Sequence, residues 1–462
     1  MPVWNEENVR HLLSRAGFGA DSRDVKTYLK YGHVKSVEKL VTAKPSAAHG
    51  PGKAGVDPAE LAALRQWWIK RMVKAKSNRL IEKMCLFWHD HFATNQVNVD
   101  NNLWMADQNK LFRLFGMGSF HTLVFEVTRG PAMLEFLDGR RNTKTRPNEN
   151  YGRELQELFV LGVIDVNGVE NYTQTDVSEM ARALTGWTIN TNTNVGEFNV
   201  SRFDTNNKTL FQGKPYQATG NLGVVDTAGV QLPPATNIID ILFAHRDSDN
   251  ELTMARFLAK KLWEWFAYPN PSVARIDEIA APFIAGGFII PDLLRAIFLH
   301  EDFYSEAAKT GSVKNPVEYV ASAIRAVRAS TNALTIADHL DAMGMQLLEP
   351  PTVNGWNAGL AWVSSGLFLA RLNFAQTLAA GRDTSLKLRL GRSLDLSVPT
   401  AGELVDQILA NLGIAARVPA DARQALIDYF GGATDFTDAT VQETKVRGAI
   451  YLALALPEAS IH

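Results

Sequence analysis

Two short segments concentrate side chains that could do chemistry. Phe87-Trp88-His89-Asp90-His91-Phe92 sets two imidazoles two positions apart among large aromatics. Asn148-Glu149-Asn150-Tyr151-Gly152-Arg153-Glu154-Leu155-Gln156-Glu157 carries three carboxylates and an arginine. Histidine with carboxylate is a ligand set for Zn, Fe or Mn. On a helix, residues two apart point about 200° apart, so His89 and His91 share an ion only where the chain is extended. On a helix end they would instead bond carbonyls and favour the negative end of the dipole. Glu154 falls on the flank of an apolar face made by Tyr151, Leu155, Leu158, Phe159 and Leu161. A carboxylate there must be paired, hydrogen-bonded, metal-bound or protonated. An arginine such as Arg15, Arg113 or Arg182 is the alternative to a metal. Glu149, Arg153 and Glu157 follow at four-residue spacing, which suits surface ion pairs.

Two more segments stand out. Asp176 to Trp187 reads as a helix capped by Thr175 or Asp176 and ended by Gly186. Its Arg182 would hold a substrate carboxylate or phosphate, or else satisfy Glu154 or Glu157. Pro350 to Trp362 is a rigid turn with two tryptophans. Trp356 would lie across a cleft and stack on a sugar ring, or both tryptophans would cover the core. Cys85 sits in the apolar stripe of Ile81, Met84 and Trp88 and reads as a core thiol. The chain has no phosphate-loop, dinucleotide-binding, His-Glu-x-x-His or Gly-x-Ser-x-Gly motif.

The elements that must position these residues are mostly helical. Apolar spacing of three and four predicts helices over 5–16, 23–43, 57–88, 102–129 and 148–188. It predicts more over 236–268, 272–283, 290–300, 314–330, 361–380, 401–412, 419–430 and 437–455. Pro and Gly make 44–58 a loop, and Ser77-Asn78 would cap or break a helix. Residues 189–235, rich in Asn, Thr, Gly and Val, read as a loop or small β-hairpin insertion. The expected fold is all-α: a large multi-helix domain. Its parts are an N-terminal core at 1–188, the insertion at 189–235, a second helical part at 236–380 and a C-terminal segment at 381–462.

Lys and Arg total 47 against 49 Asp and Glu, a net charge of -2, so the basic excess of a nucleic-acid binder is missing. The single cysteine rules out an intrachain disulfide. The first ten residues lack a basic then apolar leader pattern, and no run of eighteen apolar residues occurs. A cytoplasmic protein without a membrane span is expected, or an exported one if a leader has been trimmed.

The order of these segments resembles the bacterial domain-of-unknown-function 1800 family. The resemblance runs from His11-Leu12-Leu13-Ser14-Arg15-Ala16-Gly17-Phe18-Gly19 through the 87–94 segment and Pro131-Ala132-Met133-Leu134. It continues through 148–162, Ala181-Arg182-Ala183-Leu184-Thr185-Gly186-Trp187 and 350–362 to Leu456-Pro457-Glu458. Many such proteins are similar to exported ones and are encoded beside sulfatase-like partners, which implies envelope or polysaccharide biology and a glycan-type or other anionic ligand. The leading expectation is a metal-dependent hydrolase. His89, His91 and Glu154 would be ligands, with Glu157 or His11 as a further candidate. Glu149 or Glu157 would be the base for metal-bound water, and Arg153 or Arg182 the anion holder. The divalent ion would be Zn, Fe or Mn. The rivals are a non-catalytic binding or scaffold protein with a protein partner, contacted through Trp356 and Trp362, and a metal-dependent oxidoreductase.

Overall fold

The computed structural model describes residues 2–45, 50–52, 55–76, 78–226 and 228–462. Parts of the expected 44–58 loop (46–49 and 53–54) and Ser77 of the expected Ser77-Asn78 cap lie outside the described residues. The chain is mostly helical, with three small two-stranded antiparallel sheets among the described residues.

Helix α1 (Glu6–Arg15) starts where the Asn5 side chain accepts the Asn8 amide, and it buries Val9, Leu12 and Leu13. The expected 57–88 run is two helices, α2 (Leu61–Lys74) and α3 (Arg79–His91), and Asn78 of the expected break stands at the cap position of the second. Helix α3 is buried nearly all round, so it runs through the centre of the molecule and not along its surface. Its charged residues survive there because each is met by opposite charge or by carbonyls. Glu82 lies between Arg71 of α2 and Arg113 of α4 (Asn102–Phe115). Lys83 pairs with Glu318, and Arg79 reaches Asp24 and the Lys76 carbonyl.

Beyond α4, the acid-rich segment forms α5 (Asn150–Glu154), which passes directly into a π-helix at Leu155–Val160. Expected at Asn148, the helix instead begins two residues on, because the Asn148 carbonyl oxygen of its side chain takes the Asn150 amide. Helix α6 (Gln174–Ala183) is capped two to three residues earlier than expected: Thr173 and Asp176 form a reciprocal capping box, correcting the Thr175 or Asp176 cap.

The insertion holds β1 (Trp187–Asn190) paired with β2 (Val195–Phe198), and β3 (Lys208–Leu210) paired with β4 (Ala218–Gly220). A third antiparallel pair joins β5 (Ser330–Thr331) to the distant β6 (Leu386–Lys387). The remaining helices that matter below are α7 (Thr253–Phe266), α8 (Pro316–Ala326), α9 (Ser365–Ala380), α10 (Ala401–Leu412) and α11 (Arg447–Ala455). Pro316 at the first helical position and an Asn315–Glu318 capping box start α8. It packs between α2 and α10, while α9 packs on α11. One contiguous apolar cluster runs from α1 to the C-terminal segment. Among the described residues no helix is long and apolar enough to cross a membrane.

Candidate functional site

The expected metal triad is not assembled. Helix α3 continues through His91, so the extended geometry that would let His89 and His91 share an ion is replaced by a helical one. Their rings face different surroundings. His91 places Nε2 3.0 Å from the Phe159 carbonyl and Nδ1 3.3 Å from Lys261 Nζ. His89 is 0% exposed, boxed by Trp68, Phe112 and Trp356, and neither ring nitrogen has a hydrogen-bond partner. Burial pushes its pKa down to about 3, so it is a neutral imidazole. Among the described residues no group of three or more His, Cys, Asp or Glu side chains could hold a metal.

Glu154 is only half-buried, and burial first, then Glu157, raises its carboxyl pKa. The half-burial agrees with the expected flank position, and the π-helix follows directly. Its wider turn shifts the faces of the segment, and Gln156 takes the fully buried place, donating to the Gly152 carbonyl. The arginines considered as partners for Glu154 are engaged elsewhere. Arg113 pairs with Glu82, and Arg15 bonds carbonyls of α7. Arg182 pairs with Asp204 and Glu179 and also donates to the Asn207 carbonyl, so it is a strut between α6 and β3 and not a free anion holder.

Glu149 accepts from Ser178, Gln174 and Arg153, and these bonds hold its carboxyl below the usual range. Glu157 accepts from the Tyr172 hydroxyl at 3.0 Å. Trp356 and Trp362 are 8% and 4% exposed, which corrects their expected role as a contact surface. The Pro350–Trp356 turn folds onto the end of α3 instead: Asp90 accepts the Trp356 amide at 2.7 Å, and Asn95 donates to the Pro350 carbonyl. Burial pushes Asp90 up to about 7 and the neighbouring Lys261 down to about 8. Cys85 is buried and its thiol is pushed up to about 12, as suits a core residue.

A different set of residues shares an open space. A cleft of about 230 Å³ lies between α1, the second half of α8 with the segment before that helix, and the end of α10. Ser14, Lys314, Arg417 and His462 line it, together with His11. The segment leading to His462 runs alongside 312–314: Ile461 bridges Val313, and the His462 amide donates to the Ser312 carbonyl at 3.1 Å. That pairing places the imidazole between α1 and α8. Ser14 Oγ is 3.4 Å from His462 Nδ1, and His462 Nε2 is 3.0 Å from Glu318 Oε2.

Charge fixes the tautomer of this imidazole. Burial opposes ionisation of Glu318, but Lys83, His462 and Arg15 outweigh it and hold the carboxyl well below the usual range. Burial and Arg15 keep the His462 pKa well below its ordinary value, so the ring is neutral. A neutral ring beside a carboxylate carries its proton on Nε2. Nδ1 then faces the serine as an acceptor. Glu318 is anchored three times, by Lys83, by the Asn315 amide and by His462.

Sequence spacing missed Ser14, Glu318, His462 and Lys314 as a group. Positions 14, 314–318 and 462 meet only through tertiary packing. The one local signal was the Asn-Pro-x-Glu helix start at 315–318, which reads as a cap. No curated protein and no solved structure matches the chain. Over residues 11–461, nearly its whole length, the sequence fits a single family model, and the chain belongs to the family described as protein of unknown function, DUF1800.

Proposed function

We propose that the protein is a hydrolase of acyl esters or amides, with Ser14 as nucleophile, His462 as general base and then acid, and Glu318 as the carboxylate that orients the imidazole. The observation that carries this reading is the unbroken Ser14–His462–Glu318 hydrogen-bonded chain at the wall of a cleft. Attack of Ser14 Oγ on the acyl carbon would send its proton to His462 Nδ1. Cleavage of the bond to the leaving group would return that proton to the departing oxygen or nitrogen. Water would then repeat both steps and free the serine. Reversed use of the two ring nitrogens is no obstacle, since either can be the base once the other donates to a carboxylate. Arg417, and Lys314 in its protonated form, line the same cleft as the serine and favour the negative charge that develops on the acyl oxygen.

The metal-dependent hydrolase and oxidoreductase readings lose their ligand set through the helical placement of His89 and His91. A non-catalytic binding role keeps one supporting observation. Leu360, Val363, Phe368 and Leu369 are exposed together around the start of α9, as a docking surface would be.

The test is turnover of p-nitrophenyl acetate and butyrate, with fluorophosphonate labelling located by peptide mass spectrometry. Labelling at Ser14 and a fall in kcat/KM of about a thousand-fold in Ser14→Ala and His462→Gln are expected. Folded Ser14→Ala protein with unchanged turnover, or a protein with neither turnover nor label, overturns the reading and leaves the binding role.

A further inference from the structure

The interior around Glu318 carries more positive than negative charge. Arg15 spends its hydrogen bonds on the Trp265, Phe266 and Ala267 carbonyls and the Ser312 hydroxyl. Lys314 donates to the Ala459 carbonyl, and Arg371 donates to the carbonyl of Lys314. Arg417 donates to main-chain oxygens of Lys309, Gly413 and His462. Among the described residues none of these four forms an ion pair with a side-chain carboxylate, whereas Lys83 does. A buried cation costs several kcal/mol unless a counter-charge meets it.

Two of the four, Lys314 and Arg417, line the cleft. Lys314 is 5% exposed, and burial, then Arg417, pushes its amine down to about 7. At the rim, Arg10 has Glu6 only at 4.0 Å, and its Nη1 is buried without a partner. The facing wall is apolar and shallow, made by Ala326, Ala410, Ala415 and Ala416. The space of about 230 Å³ is roughly one and a half times a cavity that takes benzene.

We propose that the cleft selects a substrate with an anionic head, a carboxylate or phosphate, held by Lys314, Arg417 and Arg10, and a short apolar chain lying on the alanine wall. Calling this ligand a substrate rests on the hydrolase reading, while the anion site rests on the unmatched cations alone. The head supplies the side-chain counter-charge that Lys314 and Arg417 lack, and for Arg10 one closer than Glu6 at 4.0 Å. The small side chains of the wall leave width for an aliphatic chain, and the volume limits its length.

The test is calorimetric titration of the full chain with butyrate, butyl phosphate, octanoate and the neutral isostere butyramide. Butyrate or butyl phosphate should bind at least about ten-fold more tightly than butyramide, and whichever is tighter identifies the head. Octanoate should bind more weakly than butyrate. Lys314→Met and the rim variant Arg10→Gln, each checked for native circular dichroism, should weaken anion binding by about ten-fold or more. Equal binding of butyramide, no anion binding at all, or full affinity in both folded variants overturns the proposal. Ser14→Ala separates the two readings: anion binding retained by a protein that never turns over an ester leaves an anion site without hydrolase chemistry.

Discussion

His89 shows how one side chain can be misread from its type. An imidazole between aromatics reads as a ligand, yet here it is a neutral ring in an apolar box. Its folded pKa, about 3, lies below the unfolded value of roughly 6.5. Such a group contributes stability that is present above the unfolded pKa and lost as pH falls towards the folded one. Between pH 6.5 and 4.5 the loss is about 2–3 kcal/mol, at roughly 1.4 kcal/mol per unit. Asp90, raised to about 7, works the other way: its share is full below about pH 4 and is lost as pH rises to 7. The two oppose each other over the same window, so the difference between wild type and a His89→Leu variant isolates the imidazole. Urea unfolding at pH 7 and 4.5 should show wild type losing about 2–3 kcal/mol more than the variant. Equal losses would show that His89 is not held neutral by the fold.

At the scale of elements, the turn on α3 depends on backbone conformation as well as on the Asp90 and Asn95 side chains that hold it. Gly355 has a φ of +88°, and a Cβ there would fall 2.3 Å from Asp90 Oδ1. Gly355→Ala meets both strain and a clash, so a loss of about 2–4 kcal/mol is expected. Gly366 near the start of α9 has open space, so Gly366→Ala should be neutral or stabilise by up to about 1 kcal/mol. Comparing the two melting curves checks this, and equal shifts would refute the close approach at Asp90. The same level shows what the sequence could tell. Apolar spacing located the helices because burial follows the helical period, as in α1 and α10. The break between α2 and α3 is legible too: the apolar spacing lapses at Lys76 and Asn78, where the Ser77-Asn78 pair is expected to cap or break the run. The spacing did not reveal the π-helix at 155–160, because α and π turns draw on the same residue types. That wider turn places Gln156 fully inside, while Glu154, just before it, stays half-buried at the flank.

For the whole molecule, Glu318 is the carboxylate on which distant parts of the chain converge. Lys83 of α3 pairs with it, His462 of the C-terminal segment bonds it, and Arg15 of α1 acts on it electrostatically. Lys314 and Arg371 of α9 add positive charge around it. A carboxylate so placed ties together the first helix, the central helix and the last segment. Losing it should therefore be felt everywhere at once. Glu318→Gln leaves Lys83 buried without its counter-charge, an expected cost of about 3–5 kcal/mol. Adding Lys83→Met removes the orphaned charge and should recover a large part of that cost, because an apolar pair can replace a buried ion pair. Far-UV circular dichroism and tryptophan fluorescence should give coincident unfolding curves in all three proteins, shifted together. Curves that separate in Glu318→Gln, with one region melting early, would mean that the C-terminal segment docks on an already stable body. The Ser14–His462 contact would then depend on that docking step, and hydrolysis would fail at a lower denaturant concentration than the helical core.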